Sequence, residues 1–408
     1  MAPPREKPVQ SEIRRQHLSD VLAVLHLSGP VSRSVLAGRL GVNRSTVASL
    51  VRELSARGFV RERRPEGRNT LGRPSPIVEP RPDGPVVLAV DIATDSLSVA
   101  VVGLAGKIRG LSRIERRHEL CSPHETVQVV GGLARPLLDG LRNGQAVLGV
   151  GVSIPGLVRV EDGLVRHAPN LEWRDVPLAA IVRETLRLDR PVFVRNDADL
   201  AAYAEHQRGS GVGASEFICL WGEAGIGAGI IVRGQPLAGS AGYAGEVGHM
   251  LVNPAGEPCH CGSHGCWETE VGEDALLRQA GRHGGGGREL PELLAAVELG
   301  DPAATAAVED VGHWLGVGIA GLTNIFNPTR VALGGLYARF FPYVRESIEK
   351  ELDRYAMRAP RQLVSVTAAS LGRDSSLIGA AELAFAPFLE DPTKVPVGEP
   401  SEGPTRDP

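Results

Sequence analysis

The sequence predicts an α/β protein made of a small winged helix-turn-helix head and a larger two-lobed body. Three observations carry this expectation. Helical periodicity and basic charge coincide in the first part of the chain. A strand–turn–strand unit occurs twice further on, each time followed by helical segments. Six prolines between residues 65 and 85 separate the two parts. The 408 residues, 42% hydrophobic and 23% charged, have the composition of a soluble globular chain of two or three domains. No apolar run approaches the ~18 residues of a membrane span. The opening MAPPREKPVQ lacks the apolar core of a secretory signal, so a cytoplasmic location is expected.

Charge is unevenly spread. Residues 1–75 hold 14 Arg/Lys against 6 Asp/Glu, although the whole chain is net −4. A basic head on an acidic body implies that only the head meets a polyanion. Cysteine is also uneven: Cys259, Cys261 and Cys266 fall within eight residues, while Cys121 and Cys219 stand alone. In a reducing compartment such bunching favours metal over disulfide. The two isolated cysteines are expected to be buried core thiols.

In the head, Ile13 to Leu27 reads as a helix with Ile13, Leu18, Val21, Leu22 and Leu25 on one face. Gly29-Pro30 stops it. Ser32 is placed to cap a second helix with Val35, Leu36, Ala37 and Leu40 inward. After the Gly41-Val42 turn, Asn43 is placed to cap a third helix running through Leu54, with Val47, Leu50, Val51 and Leu54 buried. Its other face carries Arg44, Ser45, Thr46, Ala48, Ser49 and Arg52. Short polar groups and arginines suit entry into a major groove, where small side chains permit close approach and Arg reaches guanine or phosphate. Arg57-Gly58-Phe59-Val60 opens a hairpin whose wing carries Arg61, Arg63, Arg64 and Arg68. The expected DNA-contacting set is therefore Asn43, Arg44, Ser45, Thr46, Ser49, Arg52, Arg63 and Arg64, with double-stranded DNA as partner. A small protein-docking bundle is the competing reading.

Residues 65–85 are too proline-rich for a helix or a central strand and read as a linker. Within it, Arg73 of Gly72-Arg73-Pro74 can lie in a narrow minor groove, or the segment can be a stiff spacer.

The body begins with the apolar strand Val86–Ile92, followed by Ser96–Val102 and a turn at Ala105-Gly106. The second such unit starts at Phe217–Leu220 and turns through Gly225–Gly229 into Ile230–Val232. This repetition points to a duplicated α/β architecture. The run Gly284–Gly287 has no preceding strand and no following Lys-Ser/Thr, so it is read as a flexible loop.

From about Ser11 to Phe388 the chain resembles the ROK family of sugar kinases and sugar-responsive repressors. Glu246-Val247-Gly248-His249, followed by Cys259-His260-Cys261-Gly262-Ser263-His264-Gly265-Cys266-Trp267-Glu268, is close to the family signature. The winged helix is absent from the kinase members and resembles the repressor branch. The resemblance implies an actin-like, ribonuclease H-like ATPase fold for the body. The expected layout is a disordered segment at 1–10, the winged helix-turn-helix at 11–69 and a Pro-rich linker at 70–85. The first lobe follows at 86–200, the second at 201–388 with a metal loop at 246–268, and a disordered tail at 389–408. The C-terminal helix around Asp374 to Phe385, with small Gly379-Ala380-Ala381, is placed to return to the first lobe.

Cys-x-Cys-x4-Cys with a histidine ten residues upstream supplies three thiolates and an imidazole, enough for a closed tetrahedral zinc site. His260 and His264 sit among the cysteines as competing ligands; the family pattern favours His249, Cys259, Cys261 and Cys266. One structural Zn2+ per chain is expected. The resemblance further implies sugar contacts from Gly156, Asn170, Asn196, Asp197, Glu246, His249 and Glu268. Carboxylates and amides suit this work because each can bridge two vicinal hydroxyls.

Kinases of the family carry Asp-Ile-Gly-Gly-Thr after the first strand and Gly-Thr-Gly in a second phosphate loop. Here the first reads Asp91-Ile92-Ala93-Thr94-Asp95-Ser96 and the second Glu223-Ala224-Gly225. Both changes remove bare backbone or a hydroxyl and add a carboxylate, which repels a polyphosphate. No ATP is therefore expected, and Asp197, which matches the kinase base, is expected to bind sugar without catalysing transfer. The reading is a homodimeric or homotetrameric regulator, since one recognition helix reads only a few base pairs. A sugar or sugar phosphate is its expected effector. A kinase with an added head and a partner-controlled regulator are the alternatives.

Overall fold

The computed structural model describes residues 7–64, 75–115, 122–142, 145–223, 225–282 and 289–395, the first four as backbone only. Arg68, Arg73, Cys121, the Gly284–Gly287 run and residues 396–408 lie outside the described residues. The chain divides into two compact units. Unit 1 comprises Met1–Val152, Pro177–Val194 and Ala380–Pro408; unit 2 comprises Ser153–Val176 and Arg195–Gly379.

Unit 1 opens with the head. Its elements are α1 (Lys7–Ser28), β1 (Val31–Ser32), α2 (Arg33–Leu40), α3 (Arg44–Ala56), β2 (Val60–Arg63) and β3 (Ile77–Pro80). The chain is therefore helical from Lys7, inside the segment expected to be disordered. Ser32 caps α2 by accepting from Val35 N. Asn43 caps α3, its Oδ1 accepting from Thr46 N at 2.8 Å. Leu18, Val21, Leu22, Leu25, Leu36, Val47, Leu50, Val51 and Leu54 close the head's core. Ile13 and Val35 do not join it; they are 51% and 43% exposed, and of the four apolar residues expected to point inward from α2 only Leu36 is buried.

The linker reading fails at Ile77–Pro80. This segment is the central strand of the wing sheet, in the order β1-β3-β2. Pro76 precedes the strand and Pro80 occupies its last pair, opposite Val60, so the prolines bracket the ladder and Ile77, Val78 and Glu79 retain their N–H groups.

The rest of unit 1 is built on β4 (Val86–Ile92), β5 (Ser96–Gly103), β6 (Lys107–Glu115), α4 (Pro123–Asp139) and β7 (Val147–Ile154). The chain then enters unit 2 for a small antiparallel sheet of β8 (Leu157–Arg159), β9 (Leu164–Ala168) and β10 (Trp173–Val176). It returns through α5 (Leu178–Leu186) and β11 (Val192–Asn196). The five-stranded sheet has the order β11-β7-β4-β5-β6. Every residue of β4 and β5 is buried, the apolar majority together with Asp91, Ser96 and Ser98.

Unit 2 continues with α6 (Asp197–Arg208), β12 (Phe217–Gly222), β13 (Ile226–Val232), β14 (Gln235–Pro236), α7 (Trp267–Val271), α8 (Glu273–Gln279), α9 (Glu289–Glu298) and α10 (Pro302–Phe326). Then follow β15 (Arg330–Gly335), α11 (Leu336–Tyr355), α12 (Arg358–Arg361), β16 (Ser365–Ala368) and α13 (Ser375–Glu390). Its sheet order, β14-β13-β12-β15-β16, repeats that of unit 1: an antiparallel hairpin first, then strands added on the far side of the hairpin's first strand. This is the duplicated α/β body. The hairpin turn is tighter than expected, since Ile226–Gly229 are already in β13. Buried Trp267, Leu315, Ile319, Tyr337 and Ile348 anchor α7, α10 and α11 in one core. Cys219, in β12, is wholly buried.

Two further boundaries differ from expectation. The lobe division at 200/201 falls within α6, because Asn196 caps a helix that runs without a break to Arg208. The tail placed at 389–408 begins too early. Helix α13 extends to Glu390, and Asp391 accepts from Thr393 N to cap a 3-10 turn at Pro392–Lys394.

Candidate functional site

The loop between β14 and α7 folds back on itself. Cys259 N donates to Ser263 O at 2.8 Å, Gly265 N to Glu257 O at 2.8 Å and Trp267 N to Met250 O at 2.8 Å. The buried Trp267 indole anchors the end of the loop by donating to Trp314 O at 2.8 Å. This folding brings ligand atoms of His249, Cys259, Cys261 and Cys266 within 4.8 Å of one another. Cys261 Sγ and Cys266 Sγ are 3.6 Å apart, and Cys259 Sγ lies 3.7 Å from His249 Nδ1. A tetrahedron with bonds of about 2.3 Å to sulfur has edges of about 3.8 Å, so the spacing and the N/S donor set fit a four-coordinate metal. Burial pushes the Cys266 thiol up to about 12, so ionising it in place calls for a cation. His260 and His264 are exposed and outside the cluster.

The histidine has two faces. Nδ1 points to the thiols, while Nε2 lies 3.9 Å from Glu246 Oε2. A metal on Nδ1 would leave the proton on Nε2, where it is available to an acceptor. One residue can therefore serve both the metal cluster and the acidic recess beside it.

That recess is built around the first turn of α6. Asn196 Oδ1 accepts from Ala198 N and Asp199 N at 2.8 and 3.2 Å, capping the helix. Its Nδ2 donates to Gly156 O at 3.1 Å. Gly156 has φ +114°, and a β-carbon there would run into the His167 carbonyl. Asp197 Oδ1 accepts from Ala198 N at 2.9 Å. Desolvation pushes the Asp197 carboxyl up to about 6. Asp199 is pushed up to about 7, mainly by desolvation and then by the charges of Glu246 and Asp197. Glu246 is 44% exposed by surface area, yet it sits in the same acid-lined recess. Desolvation raises its carboxyl, His249 opposes the rise, and Asp197 and Glu268 add to it.

Glu268, on the first turn of α7, reaches towards Cys259, with Oε1 3.9 Å from its sulfur. Its other oxygen lies against Gly225. The structure thus joins Gly156 to Asn196, and Glu246 to Asp197, His249 and Glu268. Asn170 lies exposed on the short turn Pro169–Leu171, and among the described residues no hydrogen bond or charge ties it to that group. Asp199 was not anticipated from sequence. An acid in a helix's first turn is ordinarily explained by the helix dipole, and only its coupling to Glu246 marks it out.

In the second loop, Glu223 is held by the Trp221 indole, which donates to Oε1 at 3.0 Å. In the first, Ala93 N donates to Ser96 O at 3.0 Å and Ser96 Oγ to Asp95 Oδ1 at 3.0 Å.

On the head, Arg44 and Arg52 are exposed on α3. Asn43 Oδ1 also accepts from Ser45 Oγ and Thr46 Oγ1 at 2.7 and 2.9 Å, so these three side chains serve the cap. Ser49 accepts from Arg14 Nη2 at 3.2 Å, and Arg14 pairs with Glu53 at 2.7 Å. Arg14 thereby ties α1 to α3. In the wing, Glu79 pairs with both Arg61 and Arg63, at 2.8 and 2.9 Å. Arg64 is exposed at the end of β2.

Comparison with known proteins follows this layout. The ROK family description matches residues 87–386. The xylose repressor of Bacillus spizizenii is 26% identical over 388 residues, covering 93% of this chain and 98% of the relative. A glucokinase of Streptomyces coelicolor is 31% identical over 320 residues, covering 74% of this chain and 98% of the kinase. Among solved structures, a ROK family transcriptional regulator, a homologue of the Escherichia coli MLC protein, superposes with a TM-score of 0.75. It covers 93% of this chain and 97% of that one, at 24% identity, and so shows the shared fold, head included. The duplicated body and its His/Cys cluster, together with the match over well over half of the sequence, establish that this chain belongs to the ROK family.

Proposed function

We infer that the chain is a sugar-responsive transcriptional repressor whose head binds operator DNA. The observation that carries this reading is the winged helix itself. Relatives that span both head and body are named as repressors or as a transcriptional dual regulator, while the glucokinase match covers only 74% of this chain. The reading places the protein in the cytoplasm; no helix among the described residues is long and apolar enough to cross a membrane.

In this reading the effector occupies the recess formed by Gly156, Asn196, Asp197, Glu246, His249 and Glu268, with Asp199 as an added wall and Asn170 at the rim. A hydroxylated ligand suits the acids, which lack enough donors of their own. His249, Cys259, Cys261 and Cys266 would hold one structural zinc. Four protein ligands leave no position for a reacting water, so its contribution is to fix the loop that presents Glu246 and Glu268. Arg44 and Arg52 approach bases or phosphates, and a dimer or tetramer presents two such heads to paired half-sites.

The kinase relatives make phosphoryl transfer the second reading. Against it stand Asp95 and Glu223, each in the segment that matches a phosphate loop of the kinases, because charge of that sign opposes a nucleotide triphosphate. Asp197 hydrogen-bonds the effector without accepting its proton.

The test is fluorescence anisotropy of the full chain on duplex DNA enriched from a randomised pool, at fixed salt, with and without D-xylose, D-glucose and their phosphates. Selective DNA binding that a sugar alters supports the repressor. Sugar-dependent ATP consumption by the same preparation would favour the kinase.

A further inference from the structure

The last helix, α13, is tied at one end to the acidic recess and at the other to the head. At its start, Ser376 Oγ donates to the backbone carbonyl of Asp197 at 3.1 Å. Gly379 sits directly on α6, where a β-carbon would overlap the Leu200 carbonyl. The far end of α6 is held to the same segment by Glu205, a wholly buried carboxylate. It accepts from Ser370 N, Leu371 N and Ser370 Oγ at 2.9, 2.7 and 3.1 Å. Backbone seated on backbone, with buried hydrogen bonds at both ends, leaves no side-chain freedom to absorb a shift of α6.

Further along α13, Glu382 Oε2 lies 2.7 Å from His26 Nε2, with the two side chains 3% and 0% exposed. His26 Nδ1 accepts from Ala105 N at 3.3 Å. An acceptor at Nδ1 leaves the proton on Nε2, which therefore donates to Glu382. The pair fixes α1 of the head to α13. Phe385 packs against the His26 ring at 5.0 Å, Phe388 meets Phe59 edge-on at 4.9 Å, and Ser19 Oγ donates to Leu389 O at 2.7 Å. Ser376 and Glu382 are six residues apart, about 9 Å along one uninterrupted helix.

We propose that α13 is the element through which the head reads the acidic recess, with Glu382 and His26 as the positioning pair at its head end. This rests on the effector reading above. A ligand that binds between Asp197 and Glu246 displaces α6, α13 follows, and the His26 anchor moves the head. The effect on DNA affinity is bounded by the ligand's differential affinity for the two positions.

The experiment uses the full chain and the enriched duplex, with D-xylose and D-glucose as probes. The response is the ratio of DNA Kd with and without saturating sugar, and sugar Kd is measured separately by calorimetry. Glu382→Gln, whose amide oxygen still accepts from His26, keeps the wild-type ratio. Glu382→Ala and Ser376→Ala each lower the ratio by about fivefold or more, towards one, with sugar Kd within about twofold of wild type. Because the two contacts act in series, the double variant falls no further than the weaker single variant. Folded Glu382→Ala and Ser376→Ala proteins with the full wild-type ratio overturn the proposal. If Glu382→Ala does not fold, Ser376→Ala decides alone. A wild-type protein that binds the duplex but answers to neither sugar overturns the effector reading instead. Amide exchange of α1 then settles the relay without any ligand: Ser376→Ala accelerates it if α13 transmits, and unchanged exchange overturns the proposal.

Discussion

Gly225 lies so close to Glu268 that a β-carbon on the glycine would overlap the Glu268 Oε2 atom. The tight turn between β12 and β13 thus forms the floor against which one carboxylate of the recess is positioned. Gly225→Ala must push Glu268 aside while leaving its charge in place. Loss of a hydrogen bond to a charged group costs about 1.5–3 kcal/mol, so sugar affinity should fall about 10- to 100-fold, as it should in Glu268→Gln. Calorimetric titration with D-xylose and D-glucose reads this directly. Unchanged affinity in both variants would remove Glu268 from the recess's binding role.

The His/Cys cluster makes an independent prediction. The purified chain should contain about one zinc per chain by elemental analysis, and Cys261→Ser, at the exposed member, should lower that ratio. A metal held there would close the loop bearing Glu246 and Glu268, so chelation should lower Tm by at least about 5 °C and abolish sugar binding. A metal-free preparation with unchanged Tm and sugar affinity would make the cluster incidental.

Much of this arrangement was legible in the sequence, for specific reasons. The stripe Val47, Leu50, Val51 and Leu54 is strictly helical, and its core position follows. The apolar runs 86–90 of β4 and 217–221 of β12 read as buried strands. The cysteine spacing carried the metal cluster, because only a loop folded on itself brings those thiols together. What escaped depends on partners distant in sequence. Ile13 has the periodicity of its neighbours, but the head's core is closed without it. Prolines at 76 and 80 resembled a linker, since nothing local shows that they bracket a strand between two others. Glu79 lies 16 and 18 residues from the arginines it neutralises, and pairing across strands cannot be read from charge counts. Glu382 is 356 residues from His26.

Asp199 and Asp197 set a pH dependence of stability. Desolvation pushes Asp199 up to about 7, with Glu246 and Asp197 adding to it, and Asp197 up to about 6. An unfolded aspartate titrates near pH 3.9, so between about pH 4 and pH 7 the folded chain holds protons that the unfolded chain has released. These groups therefore lower stability as pH rises through that window, and the effect is complete above about pH 8. Asp199→Asn removes one of them. Its Tm should match wild type near pH 4 and exceed it progressively up to pH 8, in thermal melts run side by side in the same buffers. A constant Tm difference across that range would mean that Asp199 is ionised throughout.

The head's arginines divide into two classes, and DNA binding should follow the division. Arg44 and Arg52 stand exposed on α3, and among the described residues neither has an acidic partner. Arg61 and Arg63 share Glu79, which is itself only 12% exposed. Both arginines are bound to this one carboxylate, so Glu79 would compete directly with DNA phosphates for the same guanidinium groups. Arg44→Ala and Arg52→Ala should each weaken specific binding by about 1–3 kcal/mol if they reach bases, or flatten the salt slope by about one if they reach phosphates. Arg63→Ala should cost less than either, because its charge is already compensated. Glu79→Gln should act in the opposite direction, releasing two arginines to strengthen non-specific binding and steepen the salt dependence by up to about two. Anisotropy titrations of specific and scrambled duplexes across a salt series separate these cases. A Glu79→Gln protein with an unaltered slope would place the wing away from the phosphate backbone and leave α3 as the contacting surface.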